Sequence, residues 1–271
     1  MSFKGKTIFI TGASRGIGKA IGVRLAADGA NIIIAAKSTT ENVKLGGTIY
    51  SAATDIEKAG GKALPIQCDI RFEEQVANAI EKAVQEFGGI DILINNASAI
   101  NLSTLESIPA KAYDLMQDIN IRGTFVVSQL CIPFLKKSGN AHILTLSPPL
   151  NLSPKWFEKH TAYTISKYGM TMVAMGLAQE LKKYKIASNT LWPKSTIDTA
   201  AVKNILGGEA LAQRSRTTDI VADAVYQILS KPSNVTGNNF IDEDVLQQSG
   251  NIDLTKYAVN PELPLYPDLF L

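Results

Sequence analysis

The chain has 271 residues, of which 45% are hydrophobic and 19% charged, and its net charge is +2. This is ordinary globular composition, with enough apolar material for one large domain or two small ones. Its basic residues are scattered rather than gathered on one face, which excludes a dedicated nucleic-acid surface; no apolar run approaches the roughly 20 residues that span a bilayer, and the N-terminus lacks the long apolar segment of a secretory signal.

The first element is a short apolar, β-branched run at 7–10 (TIFI), the kind of segment a buried strand uses. The turn TGASRGIG follows at 11–18. Beyond it, Ile17, Ile21 and Leu25 recur every fourth residue with Ala20 between them, and so line one face of a helix. Gly29 ends that pattern and a second apolar run begins at Asn31. Strand, glycine turn, helix and strand together place free backbone N–H groups and the positive end of a helix dipole where a pyrophosphate can sit. Gly12 permits the tight turn, Gly16 lets a phosphate approach the backbone, and Gly18 lets the helix pack closely. Ala13, Ser14, Arg15 and Ile17 complete the loop.

Further strands are predicted at 32–36, 63–67, 90–94, 141–146, 186–191 and 240–241. Helical patterns occupy about 17–28, 46–59, 73–87, 109–137, 161–183, 200–205 and 217–230. The alternation predicts a parallel sheet covered by helices on both faces. No repeat, low-complexity stretch or linker interrupts it, so one domain is expected over 1–271, with a core over about 5–245 and an extension over about 246–271. Residues 37–45 read as a loop beside the cofactor and 148–160 as a loop near the active site. Segment 259–271 carries three prolines among apolar residues and is expected to lie extended against the body or a neighbouring subunit. Cys68 and Cys131 lack metal-ligand spacing and read as buried thiols of a reducing intracellular compartment. The cytoplasm is the first expectation, with peroxisome and mitochondrion left open.

A dinucleotide fold shows its ribose reader about twenty residues past the glycine loop. Strand two here ends Ala35-Ala36-Lys37, with no acid. Lys37 and Arg15 therefore favour a 2′-phosphate, hence NADP(H), with NAD(H) the alternative. Asp69 is placed to accept from an adenine amino group or to cap the next helix. Asn95 and Asn96 stand at the carboxyl end of a strand, where ligands of open α/β sheets bind, although asparagine also favours plain turns.

Tyr163 and Lys167 lie four apart in a helical pattern and share a face. A nearby ammonium favours the phenolate and would bring a tyrosine from its ordinary value near pH ~10 toward the working range. Tyr-x-x-x-Lys alone is more often a helix-surface pair; its weight comes from standing one strand beyond Asn95 in a chain that opens with the glycine loop.

TGASRGIG, NNAS and YTISK, in this order and spacing, resemble the short-chain dehydrogenase/reductase family over about residues 5–245. The stretches AAKS, GTIY, LSPPLNL, LWPK and PDLFL are similar to one branch of it over nearly the whole chain. The resemblance implies an α/β, Rossmann-type doubly wound sheet of about seven parallel strands. It implies that Tyr163 is the acid/base residue and that Lys167 lowers its pKa and binds the ribose. It also implies that Asn120 holds a water linking Lys167 to solvent and that Ser147 holds the substrate oxygen. The residues from Gly12 to Gly18, with Lys37, Asp69 and Asn96, would bind the cofactor, and the stretch from Pro193 to Thr196 would cover its nicotinamide. Helices over 109–137 and 161–183 would build a homodimer or homotetramer. The branch usually continues into a sterol-carrier-like domain with a peroxisomal signal, so a fragment or a single-domain relative is expected here.

Three positions depart from the family pattern. Ser98 and Lys194 stand where glycine is usual, and Ser147-Pro148 replaces a serine pair whose second member is catalytic. A local shift, the insertion around 155–159 or Ser153 could compensate. The expected function is an NADP(H)-dependent oxidoreductase that interconverts a secondary alcohol and a carbonyl on a small apolar, lipid- or steroid-like substrate. The alternative is a dinucleotide-binding or lipid-handling scaffold that turns over poorly.

Overall fold

The computed structural model describes residues 2–42, 45–250 and 252–271; residues 43 and 44 of the expected cofactor loop lie outside them. Seven strands form one sheet: β1 (Thr7–Thr11), β2 (Asn31–Ala36), β3 (Lys62–Gln67), β4 (Ile92–Asn95), β5 (Ala141–Leu146), β6 (Ile186–Trp192) and β7 (Asn239–Ile241). Their order is β3-β2-β1-β4-β5-β6-β7, every pair parallel. Chain direction across the sheet reverses between β1 and β4. The crevice at their carboxyl ends is where such sheets take ligands.

Strand alternation divides the core. Ile8, Ile10, Ile32, Ile34, Ile92 and Ile94 face one layer, and Phe9, Ile33, Ala35 and Leu93 the other. Helices α1 (Gly16–Ala26), α2 (Ile49–Lys58), α8 (Asp219–Leu229) and α9 (Asp242–Gln248) cover the first layer. The second is covered by α3 (Glu73–Phe87) and α5 (Thr124–Leu135). In α3 the buried residues Val76, Ala79, Ile80 and Ala83 follow the i, i+3, i+4, i+7 stripe, and Gly88 in the left-handed conformation ends the helix. Each fully buried Ile or Leu contributes about 1.5–3 kcal/mol by leaving water.

The expected helix over 109–137 is in fact α4 (Ala110–Gln117) and α5, joined by a wider π turn at Asp118–Gly123. That turn brings Asn120 fully inside, and Gly123 there packs so closely that a Cβ would come within 2.6 Å of Ile70. Helix α6 (Thr161–Glu180) matches expectation, whereas the pattern at 200–205 becomes a π turn at Val202–Leu206 followed by the short α7 (Gly208–Ala212). The sequence reading missed α9, which has seven residues and three acids in its first turn, too short for a periodic signal. The segment at 259–271 lies against the body of the same chain.

Candidate active site

A cleft of about 450 Å³ opens at the β1–β4 crevice. The glycine loop forms its floor through Gly12, Ser14, Arg15, Gly16, Ile17 and Gly18. Gly12 has φ +68°, and a Cβ on it would meet Ala97 Cα at 2.9 Å. Gly16 also lies in the left-handed region, at +54°. Both positions therefore need glycine. A Cβ on Gly18 would come 2.5 Å from Asn96 Nδ2 and 2.7 Å from Gly12 O, so this glycine lets α1 close on its own loop. Ala13 is fully buried behind the loop and does not line the cleft.

Asn96 lines the cleft while its Nδ2 donates to Thr11 O (2.9 Å) and Gly12 O (3.1 Å). It ties the end of β4 to the glycine loop. Its neighbour Asn95 is buried and donates to Ser128 Oγ. At the far end of the cleft lie Arg15 and Lys37. The Arg15 guanidinium donates to Ser38 Oγ (2.6 Å) and Gly46 O (2.7 Å), which fixes it beside the end of β2, and burial lowers its pKa. Asp69 is the one carboxylate among the described residues lining the cleft. It accepts Arg71 Nε at 3.0 Å, and hydrogen bonding from Arg71 holds it below the usual carboxylate range. Asp69 does not cap α3, whose N-cap position is Phe72.

Tyr163 and Lys167 share the face of α6 turned to the end of β5. Lys167 Nζ donates to Leu146 O at 2.7 Å, lies 3.3 Å from the Met170 sulfur and sits 5.1 Å from the centre of the Trp192 ring. Burial drives the ammonium down to about 7. The same desolvation raises Tyr163, and Asp268 nearby adds to it. This corrects the expectation of a lysine-lowered phenol: in this closed site both groups are dry, and each is pushed toward its neutral form. The Tyr163 hydroxyl makes no hydrogen bond to any described residue, which leaves it free for a ligand.

Asn120 reaches the site indirectly. Its Nδ2 donates to Ala99 O and Ser166 Oγ, both at 2.9 Å, and its Oδ1 accepts Ala99 N–H at 2.8 Å. Both amide protons are spent within the protein, and this side chain clamps the 96–99 edge of the cleft.

Ser147, expected to hold the reacting oxygen, has no exposed surface and is hydrogen-bonded to Thr171 Oγ1 at 2.9 Å, along α6 from the dyad. Pro148 follows it with its carbonyl on the same threonine. Pro193 and Thr196 are buried beside β6 without lining the cleft; Thr196 instead meets Ser215 Oγ at 2.8 Å. Thr199, with Ala200 and Ala201, lines the cleft in their place. The sequence reading missed Thr199, although a threonine just ahead of a helical pattern is a recognisable start signal. Lys194 replaces the usual glycine without strain, because its φ is not positive. Its backbone N–H donates to Asp242 Oδ1 at 2.9 Å. Ser98 is exposed at the edge of the cleft.

Glycine loop, clamped strand ends and a buried Tyr/Lys pair define a dinucleotide-dependent oxidoreductase site. The sequence pattern of the short chain dehydrogenase family matches residues 6–209, and the chain belongs to that family of NAD(P)-dependent oxidoreductases. It is 59% identical over 267 residues to hydroxysteroid dehydrogenase-like protein 2 of Xenopus tropicalis, a match covering 98% of this chain but 64% of that protein. Its fold superposes with a TM-score of 0.97 on a putative dehydrogenase from Xanthomonas campestris, 50% identical, across 100% of this chain and 99% of the other. A more distant structure, a blue fluorescent protein from a metagenomic library, was solved in complex with NADPH; it is 28% identical with a TM-score of 0.73 and covers 89% of this chain and 97% of its own.

Proposed function

We propose that this chain is an NADP(H)-dependent oxidoreductase that interconverts a secondary alcohol and a carbonyl on an apolar substrate. The observation that carries the reading is a single crevice. Arg15 and Lys37 stand at one end, the only lining carboxylate among the described residues is already paired with Arg71, and Tyr163 lies with Lys167 beyond the other end. The residues fit the cofactor. Gly12, Ser14, Gly16 and Gly18 would hold its pyrophosphate, Arg15 and Lys37 its 2′-phosphate, Asp69 its adenine, and Lys167 its ribose. Thr199 would bound the nicotinamide end. When bound, the nicotinamide supplies or takes the hydride.

In the reducing direction Tyr163 gives its proton to the oxygen as the carbonyl becomes an alcohol. Burial keeps the phenol protonated until that moment. Lys167, near neutrality, returns a proton to Tyr163, and Asn120 holds the cleft edge in register. The distant relative bound to NADPH and the relative named for hydroxysteroids support the cofactor and an apolar, lipid- or steroid-like substrate class. The two buried free cysteines fit a reducing compartment. Exposed Phe125 on α5 with Ile165, Met172 and Met175 on α6 fit a subunit interface of a dimer or tetramer.

The test is consumption of NADPH and NADH over a panel of apolar ketones, with Tyr163→Phe beside the wild type. Turnover lost in the variant and a preference for NADPH are the expected results; a clear preference for NADH sinks the cofactor assignment. One observation favours the scaffold reading: Ser147, the serine expected to hold the reacting oxygen, is buried and bonded to Thr171. NADPH binding without consumption of any ketone would establish that alternative.

A further inference from the structure

The last residues, 266–271, run back over the carboxyl ends of β5 and β6. Thr196 N–H donates to Tyr266 O (2.9 Å), Asp268 N–H to Lys194 O (3.0 Å), the Trp192 indole N–H to Leu269 O (2.8 Å) and Asn151 Nδ2 to Phe270 O (3.2 Å). These ties deliver Phe270, which is 0% exposed, into a cage of rings. Its ring centre lies 5.3 Å from Tyr168, 5.5 Å from Trp156, 5.9 Å from His160 and Trp192, and 6.0 Å from Tyr163. The Phe270 backbone has φ +75°, a conformation that bulky residues avoid. The backbone bends against its own preference to place this ring. Tyr163 is left 6% exposed, and it does not line the cofactor cleft. The space beside the reacting phenol is filled by the protein's own side chain.

We propose that the cage now holding Phe270 is the substrate subsite, that it takes a flat apolar group of phenyl size attached to the reacting carbonyl or alcohol, and that segment 266–271 is an internal competitor which leaves before substrate enters. The link to turnover rests on the oxidoreductase reading, whereas the cage and its occupant stand on ring geometry. Walls made of tilted and edge-on rings reward another ring more than a flexible alkyl chain, because the ring quadrupoles are already arranged for it. The strap is held by single hydrogen bonds, all between neutral groups except the one from the Lys155 ammonium to Leu271 O at 3.1 Å, and Pro267 within it, with Pro261 and Pro264 just ahead, stiffens the segment that departs. While it is seated, apparent affinity is lowered by the fraction of molecules whose cage is open.

The chain has two tryptophans, Trp156 and Trp192, and both sit on the cage, so intrinsic fluorescence reads its occupant. The full chain, Phe270→Ala and Phe270→Leu are titrated with 1-phenylethanol without cofactor, and then assayed for NADPH consumption with acetophenone and with 2-octanone. Phe270→Leu keeps an apolar plug and supplies the comparison if the alanine variant does not fold. The expected result is tighter 1-phenylethanol binding in the order Ala, Leu, wild type, about tenfold between the extremes, with the KM for acetophenone falling in parallel. The KM for 2-octanone should change less. Equal affinity in all three proteins, or no fluorescence response in any, overturns the proposal. Consumption of NADPH with 2-octanone and no binding of the phenyl alcohol overturns the cage while sparing the oxidoreductase. Fluorescence-detected binding without NADPH consumption supports the cage and overturns the oxidoreductase.

Discussion

The two halves of the sheet solve recognition in opposite ways. On the β1–β4 side the cleft is open, and its floor is backbone: glycine N–H groups and an Asn96 clamp. On the β5–β7 side the site is closed, and its walls are side chains brought from distant parts of the chain. The Asn151–Phe270 tie alone joins residues 119 apart. A phosphate is met by local backbone geometry, which a short stretch of sequence can specify. An apolar substrate is met by packing, which depends on the whole fold. Desolvation follows the same division. Cations on the open side keep Asp69 charged, while dry surroundings on the closed side drive Tyr163 and Lys167 toward neutrality.

The largest effect expected lies on the closed side. Tyr163→Phe should lower kcat for ketone reduction by about 10²–10⁴-fold, the range for losing a positioned general acid. Its melting temperature should stay close to that of the wild type, because the hydroxyl has no partner to lose. NADPH affinity should also hold, so kinetics and cofactor titration together separate chemistry from binding. A variant that also loses NADPH would show the two halves to be one unit.

The first strand of the closed half carries a second effect. His142 on β5 is 1% exposed, and burial lowers its pKa from 6.5 to about 4. Between those values the unfolded chain binds a proton that the folded one refuses. Stability therefore rises with pH across that window and is lost as pH falls from 6.5 to 4. The shift corresponds to about 3 kcal/mol. Denaturant unfolding at pH 4.5 and 7 should show this loss in the wild type and a flatter response in His142→Leu. An equal acid response in both would assign the sensitivity to other groups.

On the open side, Lys37→Glu should weaken NADPH binding about 10- to 100-fold and leave NADH nearly unchanged, since only the former carries the 2′-phosphate. Titration of both cofactors into both proteins measures it. Equal weakening of the two would mean that Lys37 acts on the loop rather than on the phosphate.

Legibility in the sequence follows the same line. All seven strands can be read from apolar runs; β1, β2, β4, β5 and β6 are buried along nearly their whole length and have little else in them, whereas the edge strands β3 and β7 are half exposed and read only from their few apolar residues. The glycine loop and the Tyr163–Lys167 pair are legible because loop geometry and helix spacing are local. The resemblance puts Thr196 at the nicotinamide, but its side chain meets Ser215, since the polypeptide from Pro193 to Thr199 is directed by ties to residues near 214–216 and 266. The role of Phe270 was out of reach: segment 259–271 shows only that something must cover it, and the rings it meets come from α6, β6 and the 148–160 loop.

The smallest effect is expected where the family pattern puts a catalytic group. Ser147 Oγ is buried and accepts from Thr171 Oγ1, so Ser147→Ala should change kcat by less than about threefold. Loss of one buried neutral hydrogen bond should cost roughly 1 kcal/mol of stability. Thr171→Val removes the other half of that bond and should behave alike in unfolding, with an added cost for the unpaired Pro148 carbonyl. Suppose Ser147→Ala instead lowers kcat a hundredfold with stability unchanged. The 147–149 corner must then turn over when the strap leaves, carrying the serine from Thr171 to the substrate oxygen. In that case displacement of Phe270 would both open the cage and assemble the catalytic set, and Phe270→Ala would raise kcat as well as lower KM. A small effect at Ser147 together with a pure KM effect at Phe270 identifies the closed side as already assembled beneath its plug.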